Sequence, residues 1–70
     1  MYKIRMKARE IVRLLEADGW RAVRTSGSHH HFRHPTKPGT VTVAMHGSQD
    51  IKLGTLKSIE RQVQLKLRKD

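Results

Sequence analysis

Residues 20–44 read WRAVRTSGSHHHFRHPTKPGTVTVA, and the fold is decided there. Ser26-Gly27-Ser28 is a hairpin turn signal between two β-capable runs. The spacing predicts a strand over Trp20–Thr25 and a second over His29–His34. In the second strand His29, His31 and Arg33 share one face, and His30, Phe32 and His34 share the other. Pro35-Thr36-Lys37-Pro38-Gly39 predicts another turn, because proline cannot continue a ladder. Thr40–Ala44 completes a third strand, with Val41 and Val43 on one face and Thr40 and Thr42 on the other.

Helical spacing flanks this block on both sides. Upstream, Ala8, Ile11, Val12 and Leu15 follow an i, i+3, i+4, i+7 stripe with Leu14 beside it, which predicts a helix over about Lys7–Asp18. Gly19 is its natural stop. Downstream, Leu56, Ile59 and Val63 form the stripe of a helix over about Leu53–Gln64, after a loop over Met45–Lys52. The order helix, strand, strand, strand, helix is an α+β domain. Three antiparallel strands bury one face under both helices and leave the other wet. Seventy residues make one such domain; residues 1–5 read as a loose extension. Trp20 and Phe32 read as core rather than as stacking platforms for bases.

Fifteen Lys and Arg against six acidic residues leave a formal charge of +9. Such a surface attracts polyanions. There is no cysteine, hence no disulfide and no thiolate metal site. No apolar run approaches the roughly 20 residues that span a bilayer. The basic start Met1–Lys7 leads into no apolar stretch, which argues against a secretory signal. A cytoplasmic protein without membrane attachment is expected.

Three consecutive imidazoles behind a Gly-Ser turn point to proton-transfer chemistry, since a histidine near neutral pH can accept or donate a proton. They sit in mid-chain, so they are not a purification tag. RNA carries its own nucleophile, the 2′-hydroxyl. Cleaving it needs a base, an acid and positive charge near the phosphate. His29 is the candidate acid or base, at the junction of turn and strand. Arg24 and Arg33 flank the hairpin and are candidates to hold the scissile phosphate. Ser28 and the Gly27 backbone are candidate donors to it. His31, on the face of His29, is a candidate for phosphate contact or assistance. His30 is read as a packing residue with a hydrogen bond near Phe32, His34 as a turn residue, and His46 as a weak second acid or base. Lys57 and Arg61 read equally as phosphate contacts or as a solvated helix face. His29 and His31 are half of a zinc spacing, with Asp50, His34 and His46 as the remaining candidates, but structural zinc wants four converging ligands. No metal and no cofactor are expected.

Three blocks, Leu14-Leu15-Glu16-Ala17-Asp18-Gly19-Trp20, Gly27-Ser28-His29-His30-His31-Phe32-Arg33-His34-Pro35 and Lys52-Leu53-Gly54-Thr55-Leu56-Lys57-Ser58-Ile59, stand in an order and separation that resemble the HicA toxins. The resemblance covers roughly residues 6–65. It implies a double-stranded-RNA-binding-domain-like α-β-β-β-α fold, a metal-independent, ribosome-independent endoribonuclease that cleaves mRNA, and a HicB-type antitoxin as partner. The family's functional histidine follows the Gly-Ser pair and maps onto His29, with Gly27 as the turn residue. Two features depart from the family pattern. Ala44-Met45-His46 stands where Val-Pro-His is common, and Val63-Gln64-Leu65 stands where Ala-Gly-Leu is common. Gln64 is a poor left-handed cap, so the second helix is expected to run on towards Leu67. Two rival readings are an RNA-binding module of this fold that does not cleave, and a basic partner that acts mainly through an acidic antitoxin.

Overall fold

A computed structural model describes residues 6–45, 47 and 50–67. The elements in chain order are β1 (Met6–Lys7), α1 (Ala8–Ala17), β2 (Arg21–Ser26), β3 (His29–Arg33), β4 (Thr40–Ala44), β5 (Asp50–Ile51) and α2 (Leu53–Val63). Strands β2, β3 and β4 form an antiparallel sheet in that order. The expected α-β-β-β-α order is therefore present. The ribbon of β1 with β5 is an addition to it, pairing Met6 with Ile51 and Lys7 with Asp50. The extension 1–5 and the side chain of His46 lie outside the described residues.

The core is built from the two predicted stripes and one face of the sheet. Ala8, Ile11 and Leu15 from α1 and Leu56, Ile59 and Val63 from α2 bury against Phe32, Val41, Val43 and Trp20. Met6 joins them from β1. Both helices thus cover the same face of β3 and β4. No β2 residue belongs to the core, and all six are exposed. Strand β2 also breaks register between Ala22 and Arg24. The extra residue of this bulge interrupts the two-residue period, which is why the sequence alternates poorly there.

Helix α1 starts with the Lys7 amide donating to Glu10 Oε1 at 3.0 Å, half of a capping box. It stops at Gly19, whose φ of +108° suits glycine. A Cβ at Gly19 would stand 2.9 Å from His34 Nε2. His34 is thus more than the turn residue its sequence context suggests. Its Nδ1 accepts from the amides of Thr36 at 3.0 Å and Lys37 at 3.1 Å. That places the ring hydrogen on Nε2, which donates to the Asp18 carbonyl at 2.7 Å. The ring also meets Trp20 edge-on, with centroids 5.3 Å apart. Asp18 Oδ2 accepts from Trp20 Nε1 at 3.2 Å and from Lys37 Nζ at 2.6 Å. The hydrogen bond and charge of Lys37 hold the Asp18 carboxyl below its ordinary value of 3.8. The same ammonium donates to the Val63 carbonyl at 2.9 Å, a favourable place for a cation at the end of α2. One histidine and one lysine thus tie the 34–39 turn to the ends of both helices.

Helix α2 does not run on towards Leu67. It ends at Val63, and Gln64 takes the left-handed conformation at φ 57°, ψ 41°. The amides of Gln64 and Leu65 both reach the Glu60 carbonyl, in the manner of a Schellman turn. The turn lets the chain fold back. Leu67 is buried, and its amide donates to Glu60 Oε2 at 2.8 Å. Burying a leucine is worth roughly 1.5–3 kcal/mol, against about 1–2 kcal/mol for a left-handed residue other than glycine. Burial outweighs the poor cap.

Candidate functional site

The turn between β2 and β3 has two residues, Gly27 and Ser28. Only Gly27 of the pair has positive φ, at +58°. Glycine first with positive φ there is the pattern of a type II′ turn, whose twist matches that of the strands it joins. The Ser28 carbonyl accepts from the Met45 amide at 2.7 Å, so the turn is also pinned to the end of β4. His29 is the first residue of β3 and is exposed. It pairs with Ser26 on β2 and Ala44 on β4. A short turn and two strands therefore hold its backbone while the ring meets solvent.

The next cross-strand row on this open face is Arg24, His31 and Thr42, and a further row is Arg21, Arg33 and Thr40. His31 Nδ1 is hydrogen-bonded to Thr42 Oγ1 at 2.8 Å. Arg24 and Arg33 are exposed, and neither makes a side-chain hydrogen bond or ion pair among the described residues. With Val23, His31 and Thr40 they line a shallow depression of about 240 Å³. Val23, at the bulge, is 57% exposed and forms its apolar edge. Arg21 turns away, its Nη1 donating to the carbonyls of Glu16 and Trp20. Strands β2, β3 and β4 contain no acidic residue.

The sequence-predicted site residues thus divide by row. Gly27, Ser28 and His29 stand together at the turn. Arg24 and His31 lie one row on, about 7 Å along the strand, and Arg33 two rows on, about 13 Å from His29. His30 faces the helices opposite Val43 and is half-buried; the hydrogen bond expected for it is absent among the described residues. Lys57 and Arg61 are exposed on α2, which covers the opposite face from His29. Thr42 as the partner of His31 is a contact that sequence reading missed, because it depends on the register across the connection from β3 to β4. Among the described residues no three potential metal ligands come together. No helix of the described residues is long and apolar enough to cross a membrane.

On the far side of the Ser28–Met45 bond, Lys7, Ala8, Arg9, Met45 and Gly47 line a second hollow of about 360 Å³. Its lysine is paired with Asp50 at 3.0 Å, which leaves Arg9 as the cation of that lining without an ion pair among the described residues, against the two arginines of the sheet depression.

The curated proteins contain no significant match to this chain. The family described as the HicA toxin of bacterial toxin-antitoxin systems matches residues 8–65. That span runs from the first residue of α1 to the Schellman turn after α2 and includes every residue of the open face. The chain belongs to the HicA toxin family.

Proposed function

We propose that the chain is the endoribonuclease toxin of a type II toxin–antitoxin pair, cleaving mRNA by proton transfer at His29. One observation carries this reading: an exposed histidine follows a pinned Gly-Ser turn at the head of a cationic sheet face that lacks acidic residues. In the reaction the 2′-oxygen loses its proton to a base and attacks the adjacent phosphorus. The P–O5′ bond breaks, and the departing 5′-oxygen takes a proton from an acid. His29 serves as one of these two groups, a role worth roughly 10²–10⁴-fold. The Gly27 amide and the Ser28 hydroxyl are the donors beside it for the phosphate oxygens. The products are a 2′,3′-cyclic phosphate and a 5′-hydroxyl.

Membership of the HicA family implies a HicB-type antitoxin as partner. A net charge of +9 also favours a second reading, in which the open face serves chiefly to bind that partner. Cleavage of purified RNA with chelator present separates the two. Expected are RNA fragments ending in cyclic phosphate, and loss of cleavage and of growth arrest in folded His29→Ala. A His29→Ala protein that still cleaves, or products with 5′-phosphates, would overturn the assignment.

A further inference from the structure

Arg24 and Arg33 are exposed cations of the open face that make no side-chain hydrogen bond or ion pair among the described residues. They converge with His31 on one depression. Thr42 holds the His31 Nδ1, and Nε2 makes no hydrogen bond among the described residues. Two guanidinium groups at one hollow, on strands without a carboxylate, repel one another until an anion enters. Guanidinium groups suit phosphate because their paired N–H donors meet two of its oxygens.

The distance from this depression to the turn sets its role. The depression spans the His31 and Arg33 rows, about 7 and 13 Å from the His29 row, and its near row stands at about one nucleotide repeat of an extended chain. A phosphate seated between Arg24 and Arg33 is therefore not the one at His29. We propose that the depression binds the phosphate one nucleotide away from the scissile one, and that the substrate is a single strand lying along β3 across the open face. This rests on the reading of His29 as the cleaving residue. Single-strandedness also follows from the chemistry. An A-form duplex holds the 2′-oxygen out of line with the P–O5′ bond, and attack needs that alignment.

The test uses short RNA substrates with one neutral methylphosphonate linkage, placed one nucleotide to either side of the scissile bond. Cleavage by the wild-type protein and by Arg24→Gln/Arg33→Gln is compared. Both arginines are exposed and unpaired, so the variant is expected to fold, which circular dichroism checks. The neutral linkage on one side should lower wild-type kcat/KM by about tenfold or more, the scale of a lost charge-assisted contact. In the variant the same linkage should have almost no effect. Equal losses in both proteins, or no loss at either linkage, would overturn the site. A second arm needs no cleavage: binding of an uncleavable 2′-O-methyl strand, followed by fluorescence anisotropy. The variant's salt slope should be shallower by about 0.7 for each arginine removed. If RNA is not cleaved but this slope changes, the nuclease reading falls and the phosphate site stands. An unchanged slope, or a variant impaired only in antitoxin binding, removes the phosphate site even if cleavage at His29 holds.

Discussion

Replacing Gly19 by alanine tests how α1 is joined to the 34–39 turn. Two costs add at this position. The φ of +108° is one that side chains disfavour, costing about 1–2 kcal/mol. The new Cβ would also stand 2.9 Å from His34 Nε2. That ring cannot slide, because Thr36 and Lys37 hold its other nitrogen. It therefore gives up its bond to the Asp18 carbonyl, for about 1 kcal/mol more. Alanine narrows the unfolded ensemble and returns about 0.5 kcal/mol. The net loss is about 2 kcal/mol, a large share of the roughly 4–10 kcal/mol expected of a 70-residue domain.

Gly39→Ala is the control. Its φ of +84° is similarly strained, but nothing lies within 4 Å of the new Cβ. Only the strain operates there, less the gain in the unfolded state, so the loss should be near 1 kcal/mol. Urea unfolding followed by Trp20 fluorescence gives both values. The His34→Ala background supplies the decisive comparison, because removing the ring removes the collision, and the excess cost of Gly19→Ala over Gly39→Ala should vanish. If the two glycine variants lose equal stability in the wild-type background, or if the excess survives without His34, the proposed steric link is wrong.

Other expectations follow from the helix ends. Gln64→Gly should stabilise the protein by up to about 1 kcal/mol, because glycine relieves a left-handed φ of 57°; were α2 to continue towards Leu67, the same change would cost about 1 kcal/mol, so the sign of the shift in urea midpoint decides. Leu67→Ala should cost about 2–3 kcal/mol in the same assay, since the side chain is buried after the chain folds back; a surface-like loss under about 0.5 kcal/mol would contradict that burial. Asp18 has a folded-state pKa lowered chiefly by the Lys37 hydrogen bond, so its contribution is complete above the ordinary value of 3.8 and disappears as pH falls through the lower folded value. The difference in melting temperature between wild type and Asp18→Asn should therefore be flat at neutral pH and shrink below about pH 4; a difference that instead changes between pH 6 and 8 would assign the linkage to another group.

What could be read before the structure divides by the range of the interaction. The apolar stripes of Ile11–Leu15 and Leu56–Val63 are periodic within one element, and turn chemistry at Gly27-Ser28 is local to four residues, so the helices, the hairpin and the place of His29 at its turn were all legible. Strand β2 was less so, because the bulge at Val23 breaks the alternation and no helix covers that edge. The β1–β5 ribbon has two residues per strand, too few for any period to appear. Gln64 misled because its local preference opposes the left-handed cap, while the burial of Leu67 that overrides it lies further along the chain. His34 and Asp18 meet across sixteen positions, and nothing in Arg33-His34-Pro35 announces that the ring points back to α1.

The same distinction governs the open face. That His29, His31 and Arg33 share a side follows from the two-residue alternation alone. Which residues of β2 and β4 stand beside each of them does not, since the bulge shifts β2 by one residue and the 34–39 connection leaves the β4 register undetermined. Arg24 could therefore be assigned to the hairpin but not to a row. Once the rows are known, Arg24 stands opposite His31 and not His29, and Arg33 stands one row further. The arginines expected at the scissile phosphate instead share a depression one to two rows beyond His29. A cationic depression set back along the strand from His29 suits a second phosphate of the same chain, which makes substrate length, more than the identity of the base at the cut, the first variable to measure.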